Sequence, residues 1–135
     1  MDKKALLAKA IDARRRSYSP YSGFSVGAAL LCADGSVYLG CNVENASFGL
    51  TCCAERNALF SAIADGKRDF VSIAIAGGRG EGTQGGCTPC GACRQVLSEF
   101  CSDGFEIITE DSEGRAVSHT LGALLPERFG KTQLS

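Results

Sequence analysis

The amino-acid sequence predicts an α/β fold of three layers (α-β-α), in which a mixed sheet of about five strands lies between helices. Segments with helical and strand periodicity follow one another in the order α-β-β-α-β-α-β, without internal repeats. The chain has 135 residues, close to the roughly 150 of a typical domain, so residues 1–135 are expected to form a single domain. With 44% hydrophobic and 21% charged residues, the chain can bury one core of that size.

The first elements are a helix and a β-hairpin. From Lys3 to Tyr18, apolar residues recur at near-helical spacing. The basic run Arg14–Arg16 is interpreted as the solvated end of this helix, favoured by the helix dipole, rather than as a nucleic-acid patch. Alternating apolar residues predict a strand over Phe24–Cys32, and a turn leads into its partner at Val37–Leu39.

The rest of the chain predicts a further alternation of helices and strands. Its segments are a helix over Cys52–Asp65 capped by Thr51, a strand over Val71–Ala76, a glycine-rich surface loop over Gly77–Gly86, a helix over Cys90–Phe100, a strand over Phe105–Thr109, an edge strand over Ala116–His119 and a short helix over Leu121–Leu125. The order of the strands in the sheet does not follow from these patterns.

The charge and hydropathy of the chain argue against two classes of partner. Fourteen basic and fifteen acidic residues leave a net charge of −1, so neither nucleic acid nor an anionic membrane is expected to bind. No apolar stretch reaches the ~20 residues of a membrane span, and the charged N-terminal segment does not resemble a secretory signal. A cytoplasmic protein is therefore expected. Its eight cysteines are better explained as reduced thiols or metal ligands than as disulfides.

Three of the cysteines have the spacing of a metal site. Cys90 and Cys93 lie one turn apart at the start of a predicted helix, where the helix dipole favours thiolates. Cys53, at the start of the preceding helix, can supply a third ligand. Three protein ligands and one open position define a catalytic zinc site, which lowers the pKa of a bound water toward ~7. One Zn²⁺ per chain is therefore expected.

Glu55 adds a proton carrier to this site. Its carboxylate follows Cys53 by two residues, so it can move protons between water and a substrate nitrogen without binding the metal. A closed structural zinc, with Cys52 or Cys87 as fourth ligand, remains an alternative. An iron–sulfur cluster is a weaker one, because the spacing from Cys87 to Cys93 opens such a pattern but lacks its fourth cysteine.

Four short motifs extend the pattern beyond the metal site. They read SGFSVGAAL at 22–30, NVENAS at 42–47, CAER at 53–56 and PCGACRQ at 89–95. The last two contain the zinc-deaminase signature, with Cys53 in place of a histidine. From about Tyr18 to Phe129 the chain resembles the small homotetrameric cytidine deaminases. The resemblance implies a cytidine deaminase-like fold, a homotetramer, and zinc held by Cys53, Cys90 and Cys93.

The resemblance also implies roles in substrate binding. Glu55 would be the proton shuttle, and the Ala54 backbone would read the edge of the base together with it. Phe24 would pack against the pyrimidine. Asn42 and Glu44 would hold the ribose 3′-hydroxyl. These assignments follow from the match of this sequence to the family motifs.

Residues of a neighbouring subunit would close each pocket, and the matching positions are Ala46, Phe48 and Phe129. Relatives often have tyrosine where this chain has Phe48, so a hydrogen bond from that hydroxyl is absent or replaced by water. Zinc with three thiolates carries a net negative charge. Arg56 is the first candidate to offset it by donating to a ligand sulfur, and Arg94 is the second.

The expected reaction is the hydrolytic deamination of cytidine and 2′-deoxycytidine to uridine and 2′-deoxyuridine with release of ammonia, a step of pyrimidine salvage. The expected partner is therefore a small nucleoside. A deaminase of a related nucleoside or nucleoside antibiotic remains an alternative. A polynucleotide editor is disfavoured by the net charge and by Asn42 and Glu44. Outside enzymes, the alternative is a structural zinc or redox module.

Overall fold

Five strands form one mixed sheet in the computed structural model, which describes residues 1–135. They are β1 (Phe24–Cys32), β2 (Val37–Cys41), β3 (Phe70–Arg79), β4 (Glu106–Glu110) and β5 (Ala116–Thr120). Their order in the sheet is β2-β1-β3-β4-β5. β3 and β4 run parallel, and the other neighbours are antiparallel. The predicted fold class, an α/β fold with a mixed sheet, is therefore confirmed.

Four α-helices cover the sheet, namely α1 (Lys3–Ala13), α2 (Ala54–Ala64), α3 (Gly91–Phe100) and α4 (Leu121–Leu124). On one face α1 buries an apolar cluster of Leu6, Leu7, Ala10, Ala29, Ala74, Ala76 and Ile108. On the other face α2 and α3 cover a larger cluster that includes Leu30, Leu59, Ile73, Ile75, Leu97 and Ile107. Successive residues of each strand point to opposite faces, so both helix layers have an apolar surface to cover. None of the helices has the length and apolar character needed to cross a membrane.

Two glycines let the helices lie directly on the sheet. A Cβ atom on Gly27 of β1 would come within 2.0 Å of the carbonyl oxygen of Ala10. A Cβ atom on Gly40 of β2 would come within 2.4 Å of the carbonyl oxygen of Ala54 and 2.5 Å of the amide nitrogen of Ala58. Any side chain at either position would push a helix backbone away from the sheet. Gly40 therefore lets the first turns of α2 lie directly on β2.

Three predicted boundaries are wrong. The first helix ends at Ala13 rather than Tyr18, because Tyr18 is extended and bridges to Val43. The predicted loop over Gly77–Gly86 begins only after Arg79, because β3 pairs with β1 as far as that residue. Thr51 does not cap α2, because Cys53 occupies the N-cap position with extended backbone. The remaining boundaries differ by two residues or fewer.

The prediction of a solvated basic run is wrong for one of its three residues. Arg14 is only 6% exposed, whereas Arg15 and Arg16 are exposed. Residues four apart lie on one face of a helix, so Leu6 and Ala10, both buried, direct the next position toward the sheet. Arg14 occupies that position in the 3₁₀ turn that follows α1.

Candidate active site

Three cysteine side chains meet where α2 and α3 begin. Cys53 is the N-cap residue of α2, Cys90 is the N-cap residue of α3, and Cys93 lies in the first turn of α3. Their Sγ atoms all lie within 4.8 Å of one another. The Sγ atoms are 4.0 Å apart between Cys53 and Cys90 and 3.5 Å apart between Cys90 and Cys93. The structure thus brings together the three predicted zinc ligands.

This donor set fits zinc. Tetrahedral coordination with Zn–S bonds of about 2.3 Å places the sulfurs about 3.8 Å apart, between the two separations given above. No other cysteine, histidine or carboxylate belongs to the group, so Cys52 and Cys87 do not complete a closed site. Cys90 is exposed, whereas Cys93 is buried. Three sulfurs that leave one side accessible match a catalytic zinc site better than a structural one.

The surroundings of the sulfurs favour thiolates. Neither Cys53 nor Cys90 makes a side-chain cap hydrogen bond, so the free N–H groups and the positive dipole ends of two helices face the cluster. Arg56 Nη2 donates to the Sγ atom of Cys53 over 3.2 Å, the contact expected of it. A hydrogen bond from Cys93, assisted by Arg56, lowers the pKa of Cys53 to about 5. The same contact with Cys53, together with burial, raises the pKa of Cys93.

Glu55 lies in the first turn of α2 and is only 5% exposed. Burial raises the pKa of its carboxyl to about 7, and the negative charge of Cys53 acts in the same direction. Hydrogen bonds from its own backbone N–H and from Cys93 oppose this shift. The carboxylate does not belong to the three-sulfur group. A buried carboxyl that titrates near neutral pH can both accept and return a proton.

Asn42 is hydrogen-bonded to Phe24, another of the residues predicted to bind substrate. It follows β2 and is 8% exposed. Its Nδ2 donates to the carbonyl oxygen of Phe24 over 2.9 Å, and its Oδ1 accepts from the amide of Val26 over 2.9 Å and from the hydroxyl of Ser17. One Nδ2 hydrogen remains free. The side chain of Asn42 thus extends the pairing of β1 beyond the end of β2, and it holds the backbone on both sides of Ser25.

The Phe24 ring lies against β3, since a Cβ atom on Gly77 would come within 2.8 Å of it. Glu44 lies in a small open cleft of about 180 Å³ that is lined by Tyr21, Ser22, Glu44, Phe48 and Thr51. Its carboxylate accepts from the amide and hydroxyl of Ser22 and from the amide of Tyr21. The hydroxyl of Ser22 lowers the pKa of Glu44, so the cleft carries a fixed negative charge.

The three residues expected to reach a neighbouring subunit lie at the surface of the single chain. Ala46 is exposed, the Phe48 side chain is 72% exposed, and that of Phe129 is 60% exposed. The Phe48 ring lies next to that of Tyr21, tilted by 60°, with 5.7 Å between the ring centroids. The carbonyl oxygen of Phe129 accepts from Gln95 of α3 over 2.9 Å. Their role between subunits stays a prediction.

Arg94 does not contact a ligand sulfur, and Asn57 makes a structural contact that the sequence did not predict. Arg94 donates to the carbonyl oxygens of Pro89 and Leu124, both over 2.7 Å, and makes no hydrogen bond to a ligand sulfur. It ties the start of α3 to α4 instead. Asn57 Nδ2 donates to the carbonyl oxygen of Cys41 over 2.8 Å, which fixes α2 against the end of β2. The sequence gives no signal for that contact, because it depends on the packing of Gly40.

Known proteins resemble this chain over nearly its whole length. The family model described as the cytidine and deoxycytidylate deaminase zinc-binding region matches residues 1–108. A cytidine deaminase of Sporosarcina psychrophila is 44% identical over 135 residues, which cover 100% of this chain and 96% of the relative. Another, of Halalkalibacterium halodurans, is 48% identical over 129 residues, covering 96% and 95%. The crystal structure of cytidine deaminase from Burkholderia pseudomallei matches with a TM-score of 0.87 at 48% identity, covering 96% of this chain and 100% of that one.

Proposed function

Because the chain belongs to the cytidine and deoxycytidylate deaminase family, we propose that it hydrolyses cytidine and 2′-deoxycytidine to uridine and 2′-deoxyuridine. Water replaces the amino group at C4, and ammonia leaves. The observation that carries this proposal is the group of three sulfurs at two helix N-termini with buried Glu55 beside it. The reaction is a step of pyrimidine salvage.

Cys53, Cys90 and Cys93 would hold one zinc ion per chain. When bound, zinc supplies the Lewis acid that activates the attacking water at neutral pH. The protein keeps this ligand set ionised through the two helix N-termini and through Arg56, which donates to Cys53. Three thiolates give a divalent ion a net charge of −1, and the guanidinium of Arg56 offsets it.

Glu55 would carry the protons. Its carboxylate accepts a proton from the attacking water and delivers it to N3 of the pyrimidine; it then accepts the proton of the new hydroxyl at C4 and gives it to the departing amine, so that C4 becomes a carbonyl and ammonia leaves. A pKa of about 7 suits both directions of transfer. Burial keeps bulk water away from the carboxyl, so the proton it accepts goes to the substrate.

The substrate contacts are those given by the family motifs. Phe24 would pack against the pyrimidine, and the Ala54 backbone would read the base edge together with Glu55. Asn42, which has one free amide hydrogen, and Glu44 would hold the ribose 3′-hydroxyl. The fixed negative charge of Glu44 suits a neutral nucleoside better than a polyanion.

The assembly and location are also proposals. The chain would form a homotetramer in the cytoplasm, in which Ala46, Phe48 and Phe129 of one subunit complete the pocket of the next. The exposure of both phenylalanine rings in a single chain supports this arrangement, because large exposed apolar side chains favour burial at an interface.

The test is a substrate comparison on purified protein whose zinc content has been measured. Ultraviolet absorbance would follow cytidine and 2′-deoxycytidine beside cytosine, cytidine monophosphate and a single-stranded oligonucleotide. We expect turnover of the two nucleosides alone, with one zinc per chain. Zinc-loaded protein that turns over neither nucleoside would contradict the proposal, and turnover of the oligonucleotide would replace it with polynucleotide editing.

A further inference from the structure

A buried guanidinium lies on the face of the sheet opposite to the three cysteines. Arg14 is 6% exposed and forms no salt bridge, so its charge is buried without a carboxylate partner. It lines a cavity of about 890 Å³ between α1 and the segment that follows β3. Burying an unpaired charge is costly unless its hydrogen-bonding groups are satisfied. The position of the acceptors therefore shows what Arg14 holds in place.

All acceptors of Arg14 lie at the start of β1, at the end of β3 and in the turn that follows β3. Its Nε donates to the carbonyl oxygen of Ser25 over 3.0 Å, and its Nη2 reaches the Ser25 hydroxyl over 3.2 Å. Nη2 also contacts the carbonyl oxygens of Gly78 and Gly80 over 3.0 and 3.1 Å. Nη1 contacts the carbonyl oxygen of Glu81 over 3.4 Å. Only arginine has enough fixed donors to satisfy such a set of acceptors.

Ser25 directly follows Phe24, a predicted substrate contact, and lies between the two residues whose backbone Asn42 binds. Asn42 binds the carbonyl of Phe24 on one side of Ser25 and the amide of Val26 on the other. Arg14 binds the carbonyl of Ser25 itself, from the opposite face of the sheet. The segment 24–26 is therefore held by Arg14 and by Asn42 at the same time. If the backbone at Ser25 shifted, the Phe24 ring and the Asn42 amide would both change position, because Phe24 precedes Ser25 and Asn42 binds the residues on either side of it.

We propose that Arg14 is a positioning residue for nucleoside binding. It fixes residues 24–26 of β1 against the end of β3, and so sets where Phe24 and Asn42 meet the pyrimidine and the ribose. This inference rests on the proposed function. The cysteines and Glu55 lie at the starts of α2 and α3, and Arg14 makes no hydrogen bond to either helix or to its N-cap residue. Loss of Arg14 therefore weakens substrate and transition state alike, which raises KM and leaves kcat unchanged.

The experiment measures kcat, KM, zinc content and Tm for Arg14→Met and Arg14→Lys. Arg15→Met is the matched control, because Arg15 is the neighbouring residue and its side chain is 84% exposed. We expect Arg14→Met to raise the KM for cytidine about tenfold or more, with kcat within about twofold and zinc unchanged. Arg14→Lys keeps the charge but lacks the planar set of donors of the guanidinium, so its KM should rise about threefold or more. Arg15→Met should match the wild type.

Two further measurements separate positioning from general stability. In a Phe24→Leu background, Arg14→Met should raise KM by a smaller factor than in the wild type, because the part of its effect that acts through the Phe24 ring is already lost. Guanidinium ion should lower the raised KM of Arg14→Ala by entering the adjacent cavity, whereas urea should not. Additive effects with Phe24→Leu would overturn the proposal. So would a loss of zinc or of kcat at constant KM in Arg14→Met.

The wild-type protein in the same assay distinguishes the two proposals. Wild-type turnover combined with wild-type KM values in both Arg14 variants would overturn the role of Arg14 alone. Absence of wild-type turnover would overturn the proposed function. If Arg14→Met does not fold, Arg14→Lys carries the test, and a KM equal to that of the wild type would then overturn the role.

Discussion

On one face of the sheet α1 lies against Gly27, and on the other face α2 lies against Gly40, both closely enough that a Cβ atom would strike helix backbone. The two contacts differ in the part of the helix that touches the strand. α1 makes its contact through Ala10, near its C-terminal end, whereas α2 makes its contact through Ala54, its first residue, and Ala58, one turn later. The α2 face therefore brings a positive helix end to the strand ends, and the α1 face does not.

The helix N-termini on the two faces also differ in their N-cap residues. Asp2 caps α1, and its carboxylate accepts from the amide of Ala5 over 2.7 Å. The caps of α2 and α3 are Cys53 and Cys90, which make no such bond. The Asp2 carboxylate satisfies one of the free N–H groups of α1 and places a negative charge at that helix end. The free N–H groups at the starts of α2 and α3 face the three sulfurs and can stabilise them as thiolates. Cysteine must be a thiolate to bind a metal.

The largest effect on zinc content and turnover should come from replacing Cys53, the N-cap residue of α2, with serine. Serine is a better N-cap than cysteine, so Cys53→Ser should leave the metal-free protein at least as stable as the metal-free parent. It also removes one of three zinc ligands, so zinc and turnover should both be lost. Zinc analysis, thermal unfolding and cytidine turnover would measure this. Full zinc retention would show that Cys53 is not a ligand.

Replacing Glu55, the proposed proton carrier, should lower turnover without changing zinc binding. Glu55→Gln keeps the size and burial of the side chain but cannot accept a proton. We expect a loss of about 10³-fold or more in kcat with zinc unchanged. The control is Glu81→Gln, an exposed carboxylate in the segment after β3. Near-normal turnover by Glu55→Gln would remove Glu55 from the mechanism.

The glycine pair tests the comparison of the two faces directly. Gly27→Ala and Gly40→Ala introduce the same methyl group into equivalent contacts, so each should lower the free energy of unfolding by about 1–3 kcal/mol. Only Gly40→Ala displaces the start of α2, and with it Cys53 and Glu55. Its kcat per zinc-loaded chain should fall about tenfold to a hundredfold, because small misplacements of catalytic groups are costly. Equal kcat values for the two variants would contradict this assignment.

How far the sequence predicts the site depends on the range of each interaction. The spacing of Cys90 and Cys93 is local, so their shared helix end follows from the sequence. The meeting of Cys53 with them depends on the order of the strands, which the hydrophobic pattern does not determine. The family motifs supplied that connection. Arg94 shows the limit, because its partner Leu124 lies in α4, thirty residues away, and the packing of α4 against α3 is not encoded locally.

Two predictions, the solvated position of Arg14 and the end of β3, are wrong because side-chain charge and residue composition outweighed other information in the sequence. The spacing of Leu6 and Ala10 predicts that Arg14 faces the sheet, but its charge favoured a solvated position. The last residues of β3 are glycines and an arginine, which have low strand propensity, yet backbone pairing with β1 keeps them extended as far as Arg79. In both cases tertiary contacts with β1 decide the outcome.

The smallest effect should come from the capped helix on the other face. Asp2→Ala removes the side-chain bond to the amide of Ala5, which costs about 1 kcal/mol and lowers Tm by about 3–5 °C. Zinc content, kcat and KM should stay at wild-type values, because α1 contributes no hydrogen-bonding group to the three-sulfur cluster. Asp2→Asn keeps a capping oxygen and should restore most of the lost Tm. If Asp2→Ala lowered kcat of the folded, zinc-loaded protein, the start of α1 would be coupled to the chemistry across the sheet, and the division of roles between the two faces would be wrong.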